Sequence, residues 1–138
     1  MYLLDTNVLS ELRKGERCDR GVQQWFDGCE DEELYTSVLC LGEIRLGIEA
    51  VRRRDGAFAA KLELWLAYII ESFESRILTV DQTIALEWGR LCAPCSRSPI
   101  DELLAATAKI YDLTLVTRNV RDIADIAVRY LNPFQPIH

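Results

Sequence analysis

The chain has 138 residues, of which 49% are hydrophobic and 28% charged, and its formal net charge is −6 at pH 7. These values are typical of a globular protein and exclude a chain that is disordered throughout. The length predicts a single domain over residues 1–138. The acidic balance argues against a simple nucleic-acid-binding module, since such modules are usually basic. It does not exclude an enzyme whose acids hold cations.

The sequence favours a cytoplasmic protein with reduced cysteines. No apolar run approaches the roughly 20 residues that a membrane helix needs, and the N-terminus has no signal-peptide pattern. Five cysteines are an odd number in a chain without an export signal. Cys92 and Cys95 have the spacing of a redox motif, but they follow a helical pattern instead of opening a helix. We interpret them as small apolar residues, with redox and zinc roles as weaker alternatives.

The first half of the chain alternates strand and helix patterns. In order, it predicts a strand over residues 2–4, short helices over 8–12 and 22–26, a strand over 34–36, and long helices over 38–54 and 58–73. Ser37 is the expected N-cap of the first long helix, and the acidic run over 30–33 is an expected solvated turn. Gly42 and Gly47 interrupt that helix at about 1 kcal/mol each relative to alanine. The two glycines suggest that another group packs close to the helix backbone at these positions.

The second half continues the alternation. It predicts a strand over residues 76–80, a helix from Asp81 to about Cys92, a helix opened by Asp101, a strand over 114–117 and an edge strand over 128–131. Residues 96–99 and 118–122 have loop composition. Strands that alternate with helices imply an α/β fold with a parallel sheet covered on both faces.

Four carboxylates are the candidate functional residues: Asp5, Glu43, Asp101 and Asp122. Each has an ordinary structural explanation, as a helix cap, a surface helix residue, a first-turn acid and a turn residue, respectively. Several nevertheless stand near strand ends or helix starts, where parallel sheets bind ligands. Clustered oxygen ligands favour Mg²⁺ or Mn²⁺ over zinc. The single histidine, His138, lies at the terminus, which argues against histidine acid–base chemistry.

Four sequence blocks identify a related family. They are Leu4–Glu11, Leu41–Ile48, Ile100–Ala108 and Leu115–Asp122. In order and spacing they resemble the PIN-domain family, and within it the VapC and FitB-like toxins of bacterial toxin–antitoxin pairs. The resemblance implies a PIN-like three-layer α/β/α sandwich with a short central parallel sheet of order 3-2-1-4-5. It also implies a homodimer with metal-dependent ribonuclease activity.

The resemblance assigns roles to particular residues. The implied catalytic and metal-binding residues are Asp5, Glu43, Asp101 and Asp122, with Mg²⁺ or Mn²⁺ as the cofactor. Thr6, Asn7, Thr117 and Asn119 are candidates to orient ligands or water, and Arg45, Arg118 and Arg121 are candidate contacts to the RNA backbone. Asn119 stands where many relatives have aspartate, Glu102 replaces a frequent glycine, and Ile123 replaces a common phenylalanine. The implied partners are RNA, a cognate antitoxin, a second copy of the chain, and DNA only through the antitoxin complex.

The sequence leaves other functions open. The main one is a non-catalytic PIN-fold protein that binds an antitoxin and DNA; a DNA nuclease is another. An aspartyl-phosphate enzyme is disfavoured because Asn7 stands where a second acid would be needed. Phe58, Trp65 and Tyr68 give the helical hairpin over 38–73 more aromatic surface than a small domain readily hides. We expect a homodimer interface or an antitoxin groove there, with ordinary core packing as the alternative.

Overall fold

A parallel sheet organises the chain in the computed structural model, which describes residues 1–93 and 98–135. The five strands found in these residues are β1 (Tyr2–Leu4), β2 (Leu34–Ser37), β3 (Ile77–Leu78), β4 (Thr114–Val116) and β5 (Tyr130–Leu131). Their spatial order is β3-β2-β1-β4-β5, and every pairing is parallel. Helices flank the sheet, so the fold class and strand order expected from the sequence are confirmed.

The central strand β1 places Asp5 at the middle of one sheet edge. Tyr2 pairs with Leu34 of β2 on one side and with Thr114 of β4 on the other. The Asp5 amide extends the pairing by donating to the Val116 carbonyl at 3.0 Å. Because all strands run the same way, their carboxyl ends meet at the edge where Asp5 stands. The buried core includes Leu3, Leu4, Leu104, Leu115 and Val116.

The helices begin where the sequence offers caps. The described helices are α1 (Thr6–Leu12), α2 (Arg20–Asp27), α3 (Val38–Arg52), α4 (Gly56–Phe73), α5 (Gln82–Cys92) and α6 (Pro99–Ile110). Ser37 Oγ accepts from the Leu39 amide at 3.1 Å, and Asp81 Oδ1 accepts from the Ile84 amide at 3.0 Å. The predicted cap at Ser37 is therefore confirmed, and Asp81 caps the helix that was predicted to start there. No helix of the described residues is long and apolar enough to cross a membrane.

Three predicted segments differ most from expectation, and several others differ by one or two residues at an end. The strand expected over 76–80 is only Ile77–Leu78, because Glu74–Arg76 forms a 3₁₀ turn that holds Arg76 out of the ladder. The last strand is shortened to Tyr130–Leu131 because the parallel ladder to β4 covers only these two residues. The acidic run is more ordered than a solvated turn: Asp31–Glu33 is a 3₁₀ helix closed by a reciprocal capping box.

Two further expectations need correction, and a few predicted positions lie outside the described residues. Helix α6 begins at Pro99, which suits a first helical position, so Asp101 lies in its first turn instead of opening it. A Cβ built at Gly42 or Gly47 would meet nothing within 4 Å, so no other part of the described chain approaches the backbone there. Cys95, residues 96 and 97 of the predicted loop over 96–99, and His138 lie outside the described residues.

Candidate active site

Asp5 is a buried carboxylate held by uncharged donors. It lies between β1 and α1, and only 4% of its surface is exposed. Oδ1 accepts from the Thr6 amide at 2.7 Å, while Oδ2 accepts from the Thr117 hydroxyl at 2.7 Å and from Asn7 Nδ2 at 3.3 Å. Burial raises the pKa of Asp5 despite these three hydrogen bonds. The carboxylate is therefore oriented, but its charge is not neutralised by the groups that hold it.

Asn7 and Thr117 join the end of β1 to the loop after β4. Asn7 Nδ2 also donates to Thr117 Oγ1 at 3.3 Å, and Asn7 Oδ1 accepts from the Arg118 amide at 3.1 Å. The Asn119 amide in turn donates to Thr117 Oγ1 at 3.0 Å. The amide and hydroxyl groups thus connect neighbouring strand ends around Asp5.

Glu43 reaches the same edge from α3. The Thr6 hydroxyl donates to Glu43 Oε1 at 2.6 Å. Burial raises the pKa of Glu43, and the charge of Asp5 raises it further, against the effect of the Thr6 hydrogen bond. Because like charges at short range disfavour ionisation, Glu43 and Asp5 act on one another electrostatically.

Asp101 has a strongly raised pKa. Burial is the main cause that raises its pKa to about 6, followed by the charges of Asp5, Asp122, Glu43 and Glu102. Asp101 and Asp5 also line one small depression, together with Leu104, Leu115, Thr117, Asn119 and Ile123. The first turn of α6 therefore faces the carboxyl end of β1.

The position of the fourth candidate carboxylate, expected at Asp122, is divided between two residues. Asp122 ends the 3₁₀ turn Val120–Asp122 and is exposed, and it is near enough for its charge to act on Asp101. Asn119, not Asp122, lines the depression beside Asp5 and Asp101. The neutral side chain thus stands at the inner position and the acid at the rim.

Cys40 is a neighbour that the sequence reasoning missed. Among the described residues, one ligand atom each from Asp5, Cys40 and Glu43 lies within 4.8 Å of the others. Burial and the charge of Asp5 raise the pKa of the Cys40 thiol to about 12, and its Sγ donates to the Leu4 carbonyl at 3.5 Å. It is therefore a neutral thiol beside the acids. The available signal was its position three residues before Glu43, which places both on one face of α3.

The donor set suits a hard divalent cation. The oxygens of Asp5, Glu43 and Asp101 lie at one sheet edge with raised pKa values, and each would be relieved by a positive charge. Carboxylate oxygens are ligands that Mg²⁺ and Mn²⁺ accept, whereas a protonated thiol is not. These residues therefore fit Mg²⁺ or Mn²⁺, the ions that the acidic pattern predicts.

The arginines and Glu102 lie around this centre in different ways. Arg45 is engaged on the surface between α3 and α4, where it pairs with Glu49 at 3.1 Å and with Glu63 at 3.2 Å. The Arg118 guanidinium stacks on the ring of Phe134. Arg121 is exposed beside the rim acid. Glu102 is buried and accepts from the Trp88 indole at 3.3 Å, so it faces α5.

The fold and site together define an α/β protein with a carboxylate cluster at the carboxyl edge of a five-stranded parallel sheet. A family model described as the PIN domain matches residues 2–128. The chain belongs to the PIN-domain family.

Two curated relatives span the whole chain. The VapC ribonuclease Y4jK of Sinorhizobium fredii is 31% identical over 99% of this chain and 99% of its own length. The toxin FitB of Neisseria gonorrhoeae is 31% identical over 100% of this chain and 99% of its own length. Both alignments span all four sequence blocks, since they cover nearly every residue.

Solved structures also match this chain over nearly its whole length. The structure of FitAB bound to an IR36 DNA fragment superposes with a TM-score of 0.87 at 28% identity, covering 100% of this chain and 99% of the other. FitAcB from Neisseria gonorrhoeae gives a TM-score of 0.84 at 30% identity, covering 96% of this chain and 98% of the other. The likeness to toxin–antitoxin relatives expected from the sequence blocks is confirmed.

Proposed function

We propose that this chain is a metal-dependent endoribonuclease toxin that a cognate antitoxin neutralises. The observation that carries the proposal is the convergence of Asp5, Glu43 and Asp101 at one edge of the sheet, each with a raised pKa. Relatives of matching length are named a VapC ribonuclease and a toxin. Intact acids favour this function over a PIN fold that serves only as an interaction protein.

The acids would hold Mg²⁺ or Mn²⁺. Asp5 and Asp101 are the inner ligands in this proposal, Glu43 binds directly or through water, and Asp122 contributes from the rim. When bound, the cation lowers the pKa of a coordinated water and neutralises charge on the scissile phosphate. The expected products carry a 5′-phosphate and a 3′-hydroxyl.

The chain's own residues supply orientation. Thr117 and the Thr6 amide fix both oxygens of Asp5, so the carboxylate cannot rotate freely. The Thr6 hydroxyl fixes one oxygen of Glu43. Preorganised ligands avoid the cost of ordering them when the substrate arrives. Arg121, exposed beside Asp122, is the arginine best placed to meet an RNA backbone.

An antitoxin segment is proposed to lie along the aromatic surface of α4. A cavity of about 550 Å³ lies there; its lining includes Leu12, Phe26, Trp65, Tyr68 and Phe73. A second cavity of about 240 Å³ shares Trp65 and runs past Gly47 to Thr6 and Glu43. The two cavities therefore connect aromatic surface with the acids. An extended tail that follows them reaches the site, which provides a direct route to inhibition.

The structural neighbours support the assembly. Solved relatives at 28% and 30% identity are named as FitAB bound to DNA and as FitAcB. By analogy, we propose that this chain forms a homodimer, binds its antitoxin as described, and meets DNA only through that complex. RNA is the proposed substrate of the free toxin.

The decisive experiment is cleavage of a short single-stranded RNA by the purified chain with Mg²⁺, with Mn²⁺ and with EDTA. We expect cleavage only with metal, and none from Asp5→Asn. Asp112→Asn is the matched control, since Asp112 is an exposed acid at the opposite sheet edge with a positive φ that asparagine tolerates. Cleavage that persists in Asp5→Asn would reject the proposed site. A parent that binds antitoxin but never cleaves would favour the interaction protein.

A further inference from the structure

The segment after β5 folds back across the molecule to the start of α2. The Gln135 amide donates to Asp19 Oδ1 at 3.1 Å, and the same oxygen accepts from the Val22 amide at 3.1 Å. Within the segment, the Phe134 amide donates to Asn132 Oδ1 at 3.0 Å. We call residues 132–135 the C-terminal clasp. It closes a connection between residues 116 positions apart in the chain.

Gly21 permits this close packing. A Cβ at Gly21 would stand 2.4 Å from the Pro133 carbonyl oxygen and 3.0 Å from the Gln135 nitrogen. Real Cβ atoms do not approach backbone so closely, so any other side chain would displace the clasp. The first turn of α2 is therefore shaped to receive residues 132–135.

The clasp contacts the site through one arginine. The Arg118 guanidinium lies 4.6 Å from the centre of the Phe134 ring, within cation–π range, and Phe134 is only 9% exposed. Burial alone would raise the pKa of Asp19, but the amides of Gln135, Val22 and Gly21 and the charge of Arg118 hold it below its ordinary value. Phe134 and the anionic Asp19 thus both favour one position of the Arg118 side chain.

The backbone of Arg118 carries this restraint to Asp5. The Arg118 amide donates to Asn7 Oδ1 at 3.1 Å, and Asn7 Nδ2 donates to Asp5 Oδ2 at 3.3 Å. An asparagine side chain has one accepting and one donating end. Because Arg118 occupies the accepting end, the donating end must face Asp5. If the side chain were reversed, its oxygen would repel the carboxylate.

We propose that Phe134 is a positioning residue for the candidate active site: by stacking on Arg118 it fixes the amide that orients Asn7 toward Asp5. The proposal rests on the proposed function for its kinetic consequence, but its structural content concerns Asn7 alone. Nothing in local sequence links Phe134 to Asp5. The link exists because β5 lies parallel beside β4, so that the clasp after β5 and the 117–119 loop after β4 leave the same sheet edge.

The test compares substitutions that remove or keep the aromatic ring. Phe134→Leu keeps apolar volume but loses the stacking, and Phe134→Trp keeps it. Tyr2→Leu is the control, since the Tyr2 ring packs edge-on against Trp25 with 5.3 Å between the ring centres, but at the opposite edge of the sheet. We expect kcat for RNA cleavage to fall about 5-fold in Phe134→Leu with little change in KM. Phe134→Trp and Tyr2→Leu should match the parent.

A readout independent of cleavage is the nuclear magnetic resonance spectrum of the Asn7 side-chain amide and the Arg118 backbone amide. Both signals should move in Phe134→Leu and stay in place in Tyr2→Leu. Gly21→Ala gives a second route if Phe134→Leu folds poorly, because it displaces the clasp without touching the ring. Its control is Gly89→Ala, where an added Cβ meets nothing within 4 Å.

The outcomes separate the two proposals. Unchanged Asn7 and Arg118 signals in both Phe134→Leu and Gly21→Ala would overturn the positioning role, whatever the cleavage rates. Loss of activity that Phe134→Trp does not restore would also overturn it. A parent that cleaves no RNA, with Asn7 still disturbed in Phe134→Leu, would reject the proposed function and keep the positioning role.

Discussion

The hydroxyl of Thr6 donates a 2.6 Å hydrogen bond to Oε1 of Glu43, joining residues 37 positions apart. The backbone amide of the same threonine donates to Asp5. One residue at the start of α1 thus orients two of the candidate acids. Its two donors can be separated experimentally, because a side-chain substitution leaves the amide in place.

Thr6→Val should weaken metal binding and cleavage while preserving the helix cap. Groups that orient metal ligands typically contribute about 10-fold or more to affinity or activity, so we expect a loss of about 10-fold. Thr6→Ser keeps the hydroxyl and should behave like the parent. Metal titration by calorimetry and initial cleavage rates check both variants. Equal affinities for valine and serine would show that the hydrogen bond does not orient Glu43.

Asp101→Asn should stabilise the metal-free protein and abolish cleavage. The pKa of Asp101 in the folded protein is about 6, against an ordinary value of 3.8. The Asp101 side chain therefore adds most to the free energy of unfolding below pH 3.8, and this contribution is lost as the pH rises through 6. At pH 7 the asparagine variant escapes that penalty, and we expect a gain on the order of 1 kcal/mol, discounted for solvent screening.

Urea unfolding in EDTA at pH 4 and pH 7 measures this directly. The advantage of Asp101→Asn over the parent should be larger at pH 7 than at pH 4. A variant that is destabilised at both pH values would show that Asp101 serves mainly as a first-turn residue of α6.

Charge-changing substitutions can show whether Asp122 at the rim or Asn119 at the inner position contributes to metal binding. Asp122→Asn should weaken Mg²⁺ or Mn²⁺ binding and slow cleavage, whereas Asn119→Ala should cost less. Asn119→Asp should tighten metal binding, because affinity rises with the anionic charge of the site. Faster cleavage need not follow, since a tightly held ion or product turns over slowly. Calorimetric titration of all three variants decides whether Asp122 belongs to the site. If Asp122→Asn bound metal and cleaved RNA like the parent, Asp122 would lie outside the metal site.

The exposed aromatic surface of α4 should mediate association. Tyr68 is 65% exposed, and Arg13 lies over the rings of both Phe58 and Trp65. We expect the parent to sediment as a dimer at micromolar concentration, and Trp65→Ala and Tyr68→Ala to weaken that dimer or antitoxin binding. Tyr111→Ala removes an exposed tyrosine elsewhere and serves as control. A parent that is monomeric, with antitoxin binding unchanged in both α4 variants, would assign this surface to ordinary packing.

Gly42 and Gly47 allow the antitoxin route to be tested without removing a side chain. An added Cβ meets nothing within 4 Å at either position, so each alanine variant should stabilise the free chain by about 1 kcal/mol. Only Gly47 lines the cavity between Trp65 and Glu43. Gly47→Ala should therefore weaken antitoxin binding, and Gly42→Ala should not. Equal affinities in a calorimetric titration would place the antitoxin elsewhere.

Local sequence patterns determined much of the fold. Alternating strand and helix periods, together with the capping side chains Ser37 and Asp81, indicated an α/β protein and where most helices begin. The family blocks added the strand order. Asp5 was identifiable because it directly follows a short apolar strand and precedes a helix start, a relationship contained within a few residues. These features depend on neighbours in the chain, which a sequence displays.

Only the tertiary structure decided which side chains meet. The 112-residue separation between Asp5 and Thr117, the closeness of Cys40 to two carboxylates, and the stacking of Arg118 on Phe134 leave no local pattern. The extent of β3 was likewise decided by Arg76, whose guanidinium donates to the carbonyls of Asp31 and Leu34, more than 40 residues away in the chain. Burial is also a property of the assembled fold: the pKa of Asp101 rises because helix packing removes it from water and brings it near other acids. The sequence determined the candidate groups, and the packing determined their geometry and charge.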